Sequence, residues 1–159
     1  MGDTTATTAT NATDRIEKTI LLRAPKTRVW RALTDSREFG TWFKVNLEGP
    51  FEVGRSVRGR ITNPGYEYLV FEMTVVRMDP EEVFAYRWHP YAIDPQVDYS
   101  NEPTTLVEFR LEATADGTML TLVESGFDRI PAERRAEAFR MNDQGWSAQM
   151  QNIRRHVEG

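Results

Sequence analysis

A carboxylate stands at the end of a row that otherwise belongs to a protein interior. In TMLTLVES (118–125), Thr118, Leu120, Leu122 and Glu124 share one parity, so an alternating strand turns Glu124 inward with the leucines. A buried charge without partners is expensive, so Glu124 must be paired, hydrogen-bonded or protonated. Three roles follow. It can be a structural tie that accepts backbone N–H groups near Gly126 or groups of the first helix. It can be a polar anchor for a bound molecule, or a general acid or base with a raised pKa. We favour the first: Glu124 ties the last strand to the helix–loop region at a cavity rim.

A second group lies in YRWH (86–89). Trp88 shares its parity with Phe84 and Tyr86, which makes it a cavity wall, whereas Arg87 and His89 face outward. His89 can titrate near neutral pH, but a lone histidine before Pro90 is read first as a loop residue. Asn142 lies one helical turn before Trp146, on the same inner face, and Gln144 is a further polar candidate. Ligand pockets are mostly apolar with a few placed polar groups. The candidate ligand-binding set is therefore Trp42, Phe71, Tyr86, Trp88, Phe109, Glu124, Phe127, Phe139, Asn142 and Trp146. Each aromatic taken singly is as readily core filling.

Much chemistry is excluded. The chain has no cysteine and two histidines, His89 and His156, far apart in sequence. Thiolate sites and disulfides are ruled out, and neither a metal nor another cofactor is expected. No Ser-His-Asp arrangement and no glycine-rich phosphate loop can be argued, so no catalytic residue is assigned. A formal net charge of −4 speaks against a nucleic-acid partner. No apolar run approaches the ~20 residues of a membrane span. Residues 1–14 are Thr/Ala-rich without apolar periodicity or a signal peptide's apolar core. They read as a disordered tail, and a cytoplasmic location follows by default.

The 159-residue chain suits one domain, at 15–159. Strands are expected at 16–22, 46–53, 56–62, 66–78, 82–89, 104–114 and 118–125, where β-rich or alternating runs are divided by turn signals such as Asn63-Pro64-Gly65, Asp79-Pro80 and Asp116-Gly117. Gly49-Pro50 marks the second strand as an edge or bent strand. Pro25 suits the first turn of a helix over 24–35, and Ser36 can cap a short helix to Trp42. From Pro131 to about Val157, Phe139, Trp146, Met150, Ile153 and Val157 recur at helical spacing. The order is β-α-α-β-β-β-β-β-β-α. Tight turns make the sheet antiparallel, and the long C-terminal helix must cover its apolar face. One connection is too long for a hairpin: PYAIDPQVDYSNEP (90–103) reads either as a lid or as an excursion packed on itself.

VWRALTD with Trp42, Asp79-Pro80 before YRWH, TMLTLVESGF (118–127) and GWSAQMQNI (145–153) together resemble the SRPBCC superfamily, and within it the family named for the activator of heat-shock-protein-90 ATPase homologue. The resemblance spans residues 16–158 and departs from family habit in the long 90–103 segment. It implies an α+β helix-grip fold, a seven-stranded curved antiparallel sheet wrapped around a long C-terminal helix, shared with START domains and the birch pollen allergen. It implies no reaction, because such folds host many functions. The expected function is binding of a hydrophobic or amphipathic small molecule, lipid- or polyketide-like, between sheet and helix. The alternatives are a module stimulating a heat-shock-protein-90 ATPase and a cyclase or aromatase using a cavity carboxylate. A protein partner or homodimer remains open; membrane insertion is not expected.

Overall fold

The computed structural model describes residues 14–159, so the expected tail falls almost wholly outside the described residues. Strand β1 (Arg15–Leu22) leads into helices α1 (Lys26–Thr34) and α2 (Ser36–Phe43). Strands β2 (Val45–Leu47), β3 (Ser56–Ile61), β4 (Val70–Asp79), β5 (Val83–Trp88), β6 (Thr105–Thr114) and β7 (Gly117–Ser125) follow. A 3-10 turn (Phe127–Arg129) precedes the long helix α3 (Ala132–Glu158). The strands form one antiparallel sheet in the order β1-β7-β6-β5-β4-β3-β2. From β2 to β7 each strand pairs with the next in sequence, across the long 90–103 segment as well as across shorter turns; only β1 crosses over, to pair with β7.

Several boundaries differ from the sequence expectation for local reasons. Strand β2 stops at Leu47, before Gly49-Pro50, since proline has no N–H to give a ladder. Strand β4 starts at Val70, because Tyr66 and Leu69 close turns on Asn63 and Tyr66. Asp35 rather than Ser36 caps α2: its Oδ1 accepts the backbone N–H groups of Arg37 at 2.9 Å and Glu38 at 3.2 Å. Pro25 and Pro131 are N-cap residues, one position before the first helical turn. In the β6–β7 hairpin the positive φ (147°) belongs to Gly117, not Asp116. A Cβ there would run into the carbonyl of Leu22, so glycine also permits the close approach of β1.

The inner face of the sheet is aromatic. Phe71 from β4, Phe84 and Tyr86 from β5, and Phe109 from β6 are buried, as alternation predicts. Phe39 of α2 packs its ring against Trp42, Phe43, Phe51, Phe71 and Tyr86, with centroids 4.9–6.5 Å apart. Rings therefore fill much of the space between sheet and helices. On α3 the buried line is Ala138, Trp146, Met150 and Ile153, while Phe139 and Val157 are half-buried. The carboxylate of Glu38 gathers Arg28 at 2.7 Å, Arg31 at 2.8 Å and His156 at 2.9 Å, tying α1 and α2 to the end of α3. No helix among the described residues is long and apolar enough to cross a membrane.

Candidate functional site

Glu124 is fully buried, and its partners come from three other elements. Trp146 Nε1–H donates to Oε1 at 2.8 Å and Trp88 Nε1–H to Oε2 at 2.7 Å. Thr105 Oγ1 donates to Oε2 at 2.6 Å. Asn142 Nδ2 reaches both oxygens, at 3.0 and 3.2 Å. The carboxylate thus ties β7 to β5, β6 and α3. It is a tie, as expected, but not to Gly126 or the first helix. Gly126 instead donates its N–H to Asp14 and takes the left-handed φ (101°) that turns the chain out of β7. Every donor that reaches Glu124 among the described residues is a neutral side chain. Burial pushes its pKa up, and the hydrogen bonds from Thr105, Trp88, Trp146 and Asn142 pull the other way without cancelling it.

The Tyr86 hydroxyl is buried beside this charge with no hydrogen-bond partner among the described residues. Burial, and then the Glu124 charge, push its pKa well above the usual tyrosine value. Among the described residues no group of three His, Asp or Glu side chains could hold a metal ion.

Two hollows meet at this carboxylate cluster. The larger, ≈ 450 Å³, lies between β4, β5, α3 and the 90–103 segment, with Phe71, Trp88, Tyr91 and Ile93 among its apolar walls and His89, Asp98 and Asn142 among its polar ones. The smaller, ≈ 110 Å³, is lined by Phe43, Trp88, Asn142, Gly145, Trp146 and Gln149. Phe43, Trp88 and Asn142 belong to both. Gly145 sits mid-helix where an added Cβ would meet nothing within 4 Å. Glycine there weakens the helix by about 1 kcal/mol relative to alanine, and the space it leaves belongs to the hollow.

Of the aromatic and polar candidates, Phe71, Trp88, Asn142 and Trp146 line these hollows, and Glu124 holds the last three of them. The others lie elsewhere. Trp42 is buried with Nε1–H on the Ala32 carbonyl at 2.8 Å. Tyr86 and Phe109 pack ring to ring in the core, 6.3 Å apart. Phe127 and Phe139 pair at 5.1 Å beyond β7. Gln144 is exposed. Sequence reading missed Phe43, which takes the wall position given to its neighbour Trp42, as well as Thr105, Gly145 and Gln149. Thr105 was within reach, since it continues the inward row Val107, Phe109, Leu111.

The long 90–103 segment is fastened to α3 by Arg134. Its guanidinium donates to Glu102 Oε1 at 2.7 and 2.9 Å, and to the carbonyls of Pro90 at 2.8 Å and Tyr91 at 3.3 Å. It also lies 4.8 Å from the Tyr99 ring centroid. His89 Nε2 bonds the Glu102 carbonyl at 3.0 Å, and Tyr91 takes a left-handed φ of 51°. One helical side chain thus holds both ends of the segment against the cleft.

Comparison with known proteins agrees with this architecture. A Mesorhizobium loti protein superposes with a TM-score of 0.71 at 23% identity, covering 91% of this chain and 96% of its own. DynU16, from the dynemicin biosynthetic locus, gives 0.69 at 26% identity over 91% of this chain, which spans 47% of that longer protein. The Aha1 dimer from Colwellia psychrerythraea gives 0.65 at 16% identity, covering 88% and 92%. No curated protein matches the sequence significantly. The model of the Activator of Hsp90 ATPase homolog 1-like protein family matches residues 23–158, and the chain belongs to that family, with its helix-grip, SRPBCC-type fold.

Proposed function

We propose that this protein binds a hydrophobic or amphipathic small molecule in the cleft between β4, β5, α3 and the 90–103 segment. The observation that carries the reading is the hollow over Trp88, apolar on most of its walls with a few polar groups, at ≈ 450 Å³ within the range of about 300–1,000 Å³ typical of ligand sites. The segment 90–103 acts as the lid and Arg134 as its fastening. The ring-filled core directs the ligand to the cleft rather than deep beneath the sheet.

Glu124 supports a binder over a cyclase-type enzyme. A carboxylate offers about four lone-pair sites, and donors from Trp88, Thr105, Asn142 and Trp146 already occupy them. A general base needs a free one. The likeness to DynU16, from a biosynthetic locus, fits a small-molecule client.

The test is titration with the neutral fluorescent amine N-phenyl-1-naphthylamine. Saturable one-to-one binding with a change in tryptophan emission is expected. Ala92→Trp puts a ring into the larger cleft and should weaken binding at least about ten-fold. Absence of binding to the wild-type protein sinks the reading.

A further inference from the structure

Resting on the cleft reading, we propose that the smaller hollow takes an organic cation, a quaternary or alkylated ammonium head group, whose apolar chain lies in the larger cleft. The hollow is walled by Phe43, Trp88 and Trp146. Their ring centroids lie 5.7, 6.1 and 6.1 Å apart, so the three rings pack on one another and the head group would rest on the joint aromatic surface they offer the hollow, not between them. A cation within about 6 Å of an aromatic face is attracted by the ring quadrupole, most strongly by tryptophan. At ≈ 110 Å³ the space suits a head group the size of a few waters.

The second observation lies behind the rings. Both indoles donate their N–H groups to Glu124, at 2.7 and 2.8 Å. An indole hydrogen-bonded to a carboxylate is polarised, and its ring becomes more electron-rich. The four side chains that donate to this carboxylate among the described residues are all neutral, so an arriving cation supplies a counter-charge across the indoles. Asn142 spends its amide nitrogen on Glu124, which leaves its carbonyl oxygen, an acceptor, to offer the hollow.

The charges around the entrance agree in sign. Neither hollow is lined by lysine or arginine, and the larger one carries Glu72 and Asp98 along with His89. Arg134 is committed to Glu102 and the Tyr99 ring. Arg140 acts on Tyr91 at the mouth, as does Glu137 with the opposite sign. An anionic head group would find no cation at the inner end.

The experiment compares two probes of one shape by calorimetry on the wild-type protein: a pentanol capped with trimethylammonium and the same pentanol capped with a neutral tert-butyl group. The cationic probe is expected to bind at least about three-fold tighter, although the neutral one is the more hydrophobic. Phe43→Leu removes one ring without touching the hydrogen bonds to Glu124, and should erase that preference. Equal or tighter binding of the neutral probe overturns the proposal and leaves the cleft reading standing. A cationic preference that survives in a folded Phe43→Leu variant also overturns it. If neither probe binds while N-phenyl-1-naphthylamine does, this inference falls and the cleft reading stands; if none of the three binds, both fall. Should Phe43→Leu fail to fold, the wild-type comparison decides alone.

Discussion

Glu124→Gln separates two opposing contributions that the structure places on one side chain. Glutamine keeps one acceptor oxygen and puts an NH2 where the other stood. If the NH2 replaces Oε1, it faces the N–H of Trp146; if it replaces Oε2, it faces that of Trp88. Asn142 can turn its amide and Thr105 can rotate its hydroxyl to accept, but an indole N–H can only donate. One buried indole is orphaned in either orientation, at a cost of about 1–3 kcal/mol. Against this, glutamine removes the burial of a charge. The Glu124 pKa is raised above the ordinary carboxylate value of 4.5, so the wild type holds its full stability from this group below that value. It loses stability as pH rises through the folded pKa. The variant lacks that loss. The deficit of Glu124→Gln should therefore be largest near about pH 4 and shrink toward about pH 8, read as denaturant midpoints with unchanged m-values. For a domain of this size the full deficit corresponds to a melting shift of roughly 2–4 °C per kcal/mol. A deficit that grows with pH would refute the reasoning, because the hydrogen bonds would then outweigh desolvation and hold the pKa down.

Tyr86 and Glu38 carry two more expected outcomes. Tyr86→Phe deletes a buried hydroxyl with no hydrogen-bond partner among the described residues and should be neutral or stabilising by up to about 1 kcal/mol in thermal melts; a loss larger than that would mean the hydroxyl has a partner in solution. Burial raises the pKa of Glu38, but His156, Arg28 and Arg31 overcome it and bring the value from 4.5 down to about 2. Its stabilisation is therefore present above pH 4.5 and lost as pH falls toward 2. With solvent screening at this partly exposed edge it contributes about 1–2 kcal/mol. Glu38→Gln should be less stable than wild type at neutral pH, and its melting temperature should fall less steeply below pH 4.5; parallel acid limbs would contradict the assignment.

Sequence alone determined the order of elements, the antiparallel sheet and the inward turn of Glu124. Each is a local consequence: alternation fixes a face, and Asn63-Pro64-Gly65, Asp79-Pro80 and Asp116-Gly117 fix where strands end. The same periodicity placed Trp88, Asn142 and Trp146 on the inner side. It could not tell wall from filling. Trp42 and Phe43 are adjacent and both aromatic, yet one donates to Ala32 in the core while the other faces the cleft. Tyr86 and Trp88 share a parity, yet only Trp88 reaches a hollow. Tertiary structure alone decided these outcomes, along with the fastening of 90–103 by Arg134 across more than thirty residues. The partners of Glu124 lie 18 to 36 residues away in sequence. Periodicity reports which way a side chain points relative to its own backbone. Which groups meet it there depends on how distant strands and α3 pack.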